Sequence, residues 1–356
     1  MKIVHTADLH LSEKAEERLE ALKKVVNLAV RENAELLVIA GDLFDQHVDA
    51  ERMRPYLRDI LGGKGFQTVI LPGNHDYRAY RDGLYFGDKV IVISDQNQPL
   101  RVGTATIWGL PYEKISGERL ITRLGEISAR MNPGEQNILL YHGELLDAFF
   151  PRHELGDEGD QRYMPVRLSY FDLMPLKYIL AGHFHSRYAA WPLAGGGKFI
   201  YSGSPVAVTR REVGRRAINL LDLGGDPAEV LLDSFHYEEL IINLDPGIKE
   251  NPLDYIRSRL RQTHEAAKVI LSVRGLFNGA ALGIDESDLA RGIREIAGDR
   301  LACEPYEEYA DVRLVLEDEL FKKFSAKLNL AMVTPEEKEK ALEIALEAFR
   351  WVTPCS

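Results

Sequence analysis

The sequence has few cysteines and no long hydrophobic stretch. Only two of its 356 residues are cysteine, Cys303 and Cys355, and without a CxxC pair they argue against a structural zinc site built on thiolates. No run approaches the roughly 20 apolar residues that a membrane span needs. The first residues also lack the apolar core of a signal peptide. We therefore expect a cytoplasmic protein without a membrane segment.

The chain also lacks an excess of basic residues. It has 44 Lys and Arg against 55 Asp and Glu, for a net charge of −11. Because contacts to nucleic-acid phosphates need Lys and Arg, binding of DNA would require local basic clusters or bound cations. For each cluster, a solvated charged surface is the favoured alternative. The candidate clusters are Arg52, Arg54 and Arg58; Arg78 and Arg81; and Arg210, Arg211, Arg215 and Arg216.

The first two-thirds of the chain alternates short apolar runs with segments of helical periodicity, which is typical of a layered α/β fold. The run Leu36–Ala40 is apolar throughout, as expected of a strand buried on both faces. The predicted strands are Lys2–Thr6, Leu36–Ala40, Thr68–Leu71, Val90–Ile93, Ala105–Trp108, Ile138–Tyr141, Tyr178–Ala181, Phe199–Tyr201 and Ala217–Leu221. The predicted helices are Glu16–Arg31, Glu51–Leu61 and Arg119–Met131.

The pattern changes after about His236. The turn-forming stretch Asn243–Pro252 predicts a linker, and an α+β module of about 90 residues follows it. The last segment, Pro335–Trp351, is an amphipathic helix that packs on its own domain or on a partner. We predict domains at 1–236 and 237–330 and a C-terminal helix within 331–356. The elements predicted within the module are helices Leu253–Gln262 and Ser287–Ile296 and strands Val269–Val273 and Val312–Leu316.

Five short motifs rich in Asp, His and Asn each follow a predicted strand within three residues. In layered α/β folds, sites form beyond the carboxyl ends of the strands, so motifs far apart in sequence can meet at one edge. We therefore treat the five motifs as one site. They are Asp8-Leu9-His10, Gly41-Asp42, Gly73-Asn74-His75-Asp76, His142-Gly143 and Gly182-His183-Phe184-His185.

The residue types in these motifs indicate metal chemistry. Carboxylates together with imidazoles suit Mn²⁺, Fe²⁺, Co²⁺ or Zn²⁺ rather than the all-oxygen site of Ca²⁺. A carboxylate that bridges two cations holds them roughly 3.5–4 Å apart, the spacing of two-metal phosphate chemistry. Asp42 is the natural bridge, and Asn74 adds a neutral amide oxygen that limits the negative charge facing a phosphate.

The combined pattern resembles the calcineurin-like metallophosphoesterase superfamily over residues 1 to about 236. The opening HTADLHL and the segment GDLFD are similar to those of SbcD-type nuclease subunits of double-strand-break repair complexes, and the segment KVILSVRG is similar to part of the capping domain of that family. This resemblance implies an α/β fold, a layered metallophosphoesterase β-sandwich flanked by helices, with a smaller α+β capping domain.

The resemblance also implies roles for the motif residues. His75 would protonate the leaving oxygen, with Asp76 orienting its ring. Relatives of other origins carry a histidine at the position of Asp45, and His47 either replaces it or is a surface residue. Two divalent cations, with Mn²⁺ the expected ion, would be held by Asp8, His10, Asp42 and His185 and by Asp42, Asn74, His142 and His183.

The function implied is a DNA exonuclease and endonuclease of double-strand-break repair that works by a two-metal mechanism. The implied partners are DNA and an SMC-like ATPase subunit of the SbcC type, with a homodimer as a further possibility. The chain has no GxxxxGK[ST] motif, so any ATP dependence must come from another polypeptide. A small-molecule phosphodiesterase or phosphatase of the same superfamily is the alternative.

Overall fold

The structure is a computed structural model that describes residues 1–80, 85–148, 162–247 and 251–352; Arg81, one of the basic-cluster candidates, lies outside them. The internal contacts of the chain divide it into two compact units, Met1–Tyr237 and Glu238–Ser356. Within the described residues, no helix combines the length and the apolar character that crossing a membrane would require.

The first unit contains two six-stranded sheets and three helices. Its strands are β1 (Lys2–Thr6), β2 (Leu36–Ala40), β3 (Gln67–Leu71), β4 (Val90–Val92), β5 (Leu100–Val102), β6 (Ala105–Leu110), β7 (Gln136–His142), β8 (Tyr178–Gly182), β9 (Ala189–Pro192), β10 (Lys198–Tyr201), β11 (Arg216–Asp222) and β12 (Ala228–Leu232). Its helices are α1 (Glu16–Arg31), α2 (Asp49–Leu61) and α3 (Glu118–Ser128).

The first sheet has the strand order β12-β11-β1-β2-β3-β4, and the second has the order β5-β6-β7-β8-β10-β9. β1, β2, β3 and β4 run parallel, and so do β6, β7, β8 and β10. The central strands are buried on both faces, as the continuous apolar run of β2 predicts. The two sheets therefore each present a parallel block whose carboxyl ends lie along one edge.

Three apolar layers hold the first unit together. The middle layer lies between the sheets and includes Val38 and Leu140. One outer layer joins the first sheet to α1 and α2 through residues such as Leu22 and Leu57. The other joins the second sheet to α3 through residues such as Leu124. This arrangement of helix, sheet, sheet and helix confirms the predicted α/β sandwich.

The second unit is smaller. It begins within the long strand β13 (His236–Leu244), whose first two residues belong to the first unit. Its sheet has the order β13-β14-β15, with β14 and β15 parallel. The C-terminal helix packs within the unit, where the Phe349 and Phe321 ring centroids lie 5.4 Å apart. The remaining elements are α4 (Pro252–Gln262), β14 (Ala267–Phe277), α5 (Gly279–Leu282), α6 (Glu286–Ala297), β15 (Tyr306–Asp311), α7 (Arg313–Glu317), α8 (Glu319–Leu330) and α9 (Pro335–Val352).

The prediction of a strand at Val312–Leu316 is wrong. The strand beside β14 is β15, which ends at Asp311, and the following residues form α7. Val312 and Val315 are both buried, at a spacing of three residues that suits a helix face better than a strand. The Oδ1 atom of Asp311 accepts a hydrogen bond from Arg313 N at 2.9 Å, which favours a turn at this point.

The predicted linker Asn243–Pro252 is also only partly correct. Asn243 and Leu244 are the last residues of β13, and Pro252 is the first residue of α4. The side chain of Asn251 caps this helix by accepting a hydrogen bond from Leu253 N. Residues 248–250, also part of the predicted linker, lie outside the described residues.

Candidate metal centre

The five motifs meet at the carboxyl edge of the two parallel blocks. Asp8 and Asp42 lie two residues beyond β1 and β2, and Asn74 lies three residues beyond β3. From the second sheet, His142 is the last residue of β7 and His183 directly follows β8. Since all five strands point the same way, their ends deliver these side chains to one place, as the sequence predicts.

The backbone at this edge is strained. Four of the six non-glycine residues with positive φ in the described part of the chain belong to the motifs. Left-handed backbone costs energy for residues with a Cβ and is concentrated at functional sites. The four are Asp8 (φ 56°), His10 (φ 46°), Asp42 (φ 49°) and His183 (φ 100°).

Two glycines leave room for these side chains. Gly41 has φ +100°, and a Cβ there would lie 1.9 Å from Nδ1 of His142. A Cβ on Gly73 would lie 2.2 Å from Oδ1 of Asp42. Any larger residue at either position would displace a candidate ligand, so the glycines are needed for close approach of the backbone.

The side chains are within coordination reach of one another. Oδ2 of Asp42 lies 3.1 Å from Nε2 of His142 and 4.0 Å from Nε2 of His10. Oδ1 of Asp8 lies 4.0 Å from Nε2 of His142 and 3.7 Å from Nε2 of His185. Asp42 and Asp8 thus each face two imidazoles, which is the arrangement expected of carboxylates beside a pair of cations.

The two remaining predicted ligands, Asn74 and His183, lie on the His142 side of the site. Oδ1 of Asn74 is 2.9 Å from Nε2 of His142, and the rings of His142 and His183 have centroids 5.5 Å apart. The backbone N–H of His183 donates to both carboxylate oxygens of Asp8 at 3.0 Å. All seven predicted ligands are therefore brought together. The groups of three whose ligand atoms lie within 4.8 Å of one another are Asp8, His10 and His185; Asp8, Asp42 and His142; and His10, Asp42 and His75.

The donor set fits divalent cations. Oδ2 of Asp42 is buried and accepts no hydrogen bond among the described residues, although Nε2 of His142 lies 3.1 Å from it. Nδ1 of His142 lies 2.8 Å from the carbonyl oxygen of Ala40, and Nδ1 of His185 lies 3.2 Å from Oε1 of Glu212. Metal-binding histidines usually donate their second ring N–H to such acceptors, which turns the other nitrogen toward the cation.

The buried carboxylates and imidazoles shift one another's pKa values. Burial acts to raise the pKa of Asp42, but His142, His10 and His75 outweigh it and hold this pKa well below its ordinary value. Burial raises the pKa of Asp8. Burial alone would lower the pKa of His142, but Asp42 and Asp8 raise it to about 10. The site therefore concentrates negative charge that attracts a proton or a cation.

The hydrogen bonds described for His75 and for Asp76 go to different partners. Nδ1 of His75 lies 3.0 Å from the carbonyl oxygen of Asp45, and this oxygen can only accept. The carboxylate of Asp76 instead accepts from Gly73 N at 2.8 Å, Phe44 N at 3.2 Å and the Tyr80 hydroxyl at 2.7 Å. Asp76 therefore orders the surrounding loops, and burial and the charge of Asp42 raise its pKa to about 6.

Two carboxylates, Asp45 and Glu212, support the candidate ligands in a way that the sequence did not predict. Asp45 lies 3.6 Å from Nδ1 of His10 and 2.9 Å from Arg18 Nη1, and the nearby His10 ring, with the Arg18 guanidinium, lowers its pKa to about 2. Glu212 supports His185 in the same way. Glu212 follows Thr209 with the spacing of a local turn, so the sequence alone marks it as a turn residue and not as part of the site.

In the third candidate basic cluster, one of the four arginines is not on the surface. Arg210, Arg211 and Arg215 are exposed, but Arg216 is buried, with 1% of its side chain accessible. Its guanidinium donates to the carbonyl oxygens of Ser204 at 3.1 Å and Ser186 at 3.2 Å and lies 3.8 Å from Glu212. Arg216 therefore supports the site from within and is not available to a nucleic-acid phosphate.

Comparison with known proteins agrees with this geometry. The profile described as calcineurin-like phosphoesterase matches residues 1–187, which is more than half of the chain. The chain belongs to the calcineurin-like phosphoesterase family. This finding confirms the predicted superfamily, and it makes a metal-dependent phosphoester hydrolase the general class of the protein.

The individual proteins that resemble this phosphoesterase share little sequence identity with it. The chain is 28% identical over 135 residues to an SbcCD nuclease subunit of Staphylococcus saprophyticus, and this match spans 33% of the chain and 35% of that relative. Two solved structures are similar to parts of the chain. The protein TT1561 of Thermus thermophilus has 16% identity and a TM-score of 0.44, covering 65% of this chain and 98% of its own. A dimetal phosphatase from Danio rerio has 13% identity and a TM-score of 0.42, with coverages of 62% and 91%.

Proposed function

We propose that this phosphoesterase is a DNA nuclease that hydrolyses phosphodiester bonds with two divalent cations. The observation that carries the proposal is the position of Asp42. Its buried Oδ2 lies 4.0 Å from Nε2 of His10 and 3.1 Å from Nε2 of His142, so one carboxylate is within reach of a ligand from each proposed set. This oxygen accepts no hydrogen bond from the described residues.

Each cation would have its own ligand set, joined by Asp42. When bound, the cations would lower the pKa of a water molecule and stabilise the charge that develops on the phosphoryl oxygens. Mn²⁺ is the ion we propose, since mixed imidazole and carboxylate ligands suit it. The first set would be Asp8, His10, Asp42 and His185, and the second Asp42, Asn74, His142 and His183.

His75 would be the general acid. The carbonyl oxygen of Asp45 accepts from Nδ1 of this ring, so Nε2 is the nitrogen that exchanges a proton with the leaving oxygen. His75 N also donates to Oδ1 of Asp42 at 2.9 Å, which places the residue at the edge of the cation site. A positioned acid of this kind contributes about 10²–10⁴-fold to the rate.

Two observations support DNA as the substrate. One relative is a subunit of the SbcCD nuclease, and the segments HTADLHL and GDLFD, which contain Asp8 and Asp42, resemble those of SbcD-type subunits. The same relative supports an SbcC-type ATPase as the partner, and a homodimer belongs to the same proposal. Because the match spans about a third of that relative, these are inferences from one part of the chain.

The direct test measures cleavage of single- and double-stranded DNA by protein loaded with Mn²⁺, with the bound metal counted in the same sample. We expect cleavage that chelation abolishes and that decreases with salt, because phosphate contacts are lost. Full occupancy by two ions with no cleavage of either DNA would refute the nuclease assignment.

The role of His75 is tested separately. His75→Ala should lower cleavage by about 10²–10⁴-fold while two cations still bind. The control is His264→Ala, which changes a histidine of the second unit. Because His75 also lies within 4.8 Å of ligand atoms of His10 and Asp42, a stoichiometry that falls to one ion in His75→Ala would make it a ligand instead.

A small-molecule phosphodiesterase is the second candidate. The net charge of −11 and the burial of Arg216 favour it, because both reduce the positive charge offered to a long polyanion. Turnover of bis-p-nitrophenyl phosphate, cyclic nucleotides and DNA should be compared at equal metal occupancy. A higher kcat/KM on the small diesters than on DNA would favour this candidate.

A further inference from the structure

Arg18 lies in the first turn of α1, and its guanidinium contacts two residues at the metal centre. Nη1 donates to the carbonyl oxygen of His10 at 2.6 Å and to Oδ1 of Asp45 at 2.9 Å. Only 15% of the side chain is accessible, and its Nε is buried without a hydrogen bond among the described residues. Arginine is seldom buried unless it is paired. These two contacts therefore account for the burial of this cation.

The first contact holds a strained part of the backbone. His10 has a positive φ of 46°, which costs energy for a residue with a Cβ and persists only where the surroundings fix it. Its carbonyl oxygen accepts from Arg18, and its N–H donates to the carbonyl oxygen of Asp42 at 3.0 Å. Both polar groups of the His10 backbone are thus held, which fixes the direction in which its imidazole leaves the chain.

The second contact holds a carboxylate beside the His10 ring. Oδ1 of Asp45 lies 3.6 Å from Nδ1 of His10, which is an ion-pair distance slightly longer than a hydrogen bond. This Nδ1 is buried and makes no hydrogen bond among the described residues. Histidines that bind metals commonly donate their second ring N–H to a carboxylate. Asp45, held by Arg18, is therefore the group that turns Nε2 of His10 toward the cation site.

The backbone of Asp45 supports the proposed acid. Its carbonyl oxygen lies 3.0 Å from Nδ1 of His75 and can only accept. Its own N–H donates to the carbonyl oxygen of Leu11 at 3.1 Å. The rings of His10 and His75 are almost perpendicular, with centroids 4.7 Å apart. One residue therefore supports a cation ligand with its side chain and the acid with its backbone.

We infer that Arg18 is a positioning residue, which holds Asp45 in the conformation that orients His10 and His75 together. The inference rests on the proposed cation site and acid, and it does not depend on DNA as the substrate. The Asp45 side chain is partly exposed, so without the guanidinium its carboxylate can turn toward water. The His10 ring then loses its acceptor, and the peptide that faces His75 is no longer held through its side chain.

The first test measures metal binding. Arg18→Met removes the guanidinium and keeps an apolar side chain along the start of the same path. Calorimetric titration of the metal-free protein with Mn²⁺ should show two cations in both proteins, with the affinity for one of them about tenfold lower in the variant. The control is Arg31→Met, because Arg31 belongs to the same helix but is exposed and lies 3.6 Å from its neighbour Glu32. This control should bind both cations as the unmodified protein does.

The second test observes the tautomer of His75 by NMR. Protein with ¹⁵N in its histidine rings is loaded with Zn²⁺, which is diamagnetic and suits the same ligands. The unmodified protein and Arg31→Met should carry the ring proton of His75 on Nδ1, and in Arg18→Met the ring should become a mixture of both tautomers. His142 is the internal reference, because its Nδ1 lies 2.8 Å from the carbonyl oxygen of Ala40. The signals of His142 should not change.

A third variant separates the two contacts of Asp45. Asp45→Asn removes the charge beside His10 and keeps the backbone carbonyl that faces His75. It should weaken one cation about tenfold, as Arg18→Met does, and leave the tautomer of His75 unchanged. Because both substitutions act on one contact, the double variant should lose less binding free energy than the two single variants together.

The outcomes separate this inference from the proposed function. If Arg18→Met bound two cations with unchanged affinity, or kept the tautomer of His75, the positioning role would be overturned while the two-cation site stood. Altered signals of His142 together with those of His75 would also overturn it, because a general loosening of the fold gives that result. If the unmodified protein binds fewer than two cations, the proposed mechanism itself fails, and the role of Arg18 with it.

Discussion

Oε1 of Glu212 lies 3.2 Å from Nδ1 of His185, and both side chains are buried. The same carboxylate accepts from Val208 N at 2.9 Å and Thr209 N at 3.1 Å. Burial would raise the pKa of Glu212, but His185 and Arg216 lower it to about 2. The glutamate is thus an anion that fixes the tautomer of His185 and turns its Nε2 toward Asp8.

Replacing this glutamate should weaken the metal site. Glu212→Gln keeps the size of the side chain but removes the charge that stabilises the His185 N–H, so we expect a loss of about 10–100-fold in metal affinity. Calorimetric titration of metal-free protein with Mn²⁺ measures the change.

Thr209→Ala serves as the control for this change. It removes a hydroxyl that bonds Glu212 at 3.2 Å without altering the contact with His185. If Thr209→Ala weakened the metal as much as Glu212→Gln, the effect would come from the local turn and the orienting role of Glu212 would be lost.

Gly41→Ala should inactivate the enzyme. Its Cβ would lie 1.9 Å from Nδ1 of His142, so the ring must move out of line with Asp42. We expect cleavage to fall by at least about 10²-fold, since misplacing a group by about 1 Å has this effect. Rates at saturating Mn²⁺ provide the measurement.

Gly63→Ala is the matched control for Gly41→Ala. Gly63 also has a positive φ, +65°, but nothing lies within 4 Å of an added Cβ. This variant should lose about 1 kcal/mol of stability from the left-handed backbone and keep its activity. An active Gly41→Ala would show that the space beside His142 is not needed.

Arg216→Met should destabilise the fold. It would leave the carboxylate of Glu212 buried without its cationic neighbour, and breaking a buried pair typically costs about 3–5 kcal/mol. Urea unfolding of the metal-free protein measures this loss. Adding Glu212→Gln to Arg216→Met should restore part of it, because the unpaired charge is then removed.

The neighbouring arginine provides the comparison. Arg215 is exposed, with 36% of its side chain accessible, and pairs with Asp233 on the surface. Arg215→Ala should change stability by less than about 1 kcal/mol. Equal losses in Arg215→Ala and Arg216→Met would contradict the buried role of Arg216.

Binding of Mn²⁺ should strengthen as the pH rises. In the metal-free protein Asp42 and Asp8 outweigh the effect of burial and raise the pKa of His142 to about 10. Below that pH the ring carries a proton that the cation must displace, so acid weakens binding, by up to about tenfold per pH unit for one proton. Calorimetry in buffers of different ionisation enthalpy counts the protons released.

The proton released on metal binding should no longer be seen when the imidazole of His142 is removed. His142→Gln should release about one proton fewer per bound cation, whereas His264→Gln, which changes a histidine of the second unit, should release the same number as the unmodified protein. Binding that is independent of pH over the neutral range would rule out a protonated His142 in the metal-free state.

Much of the fold was predictable because its signals are local. The apolar run of β2 and the periodic helix α1 have the predicted bounds, since a strand buried on both faces and an amphipathic helix each leave a clear pattern in sequence. The segment Val312–Leu316 was not predictable in this way. A short apolar stretch suits a strand or a helix, and pairing of Tyr306–Asp311 with β14 decided between them.

The sequence by itself determined which residue types stand at the strand ends, and hence that Asp8, Asp42, Asn74, His142 and His183 would meet at one edge. Only the tertiary structure decided what surrounds them. Glu212 reaches His185 from 27 residues away, and Arg216, which looks like a surface cation in sequence, is buried beneath it. The motifs could be placed from sequence because parallel strands all end at the same edge of the sheet. The supporting contacts depend on how later loops fold back across that edge, and no local sequence pattern indicates such a fold.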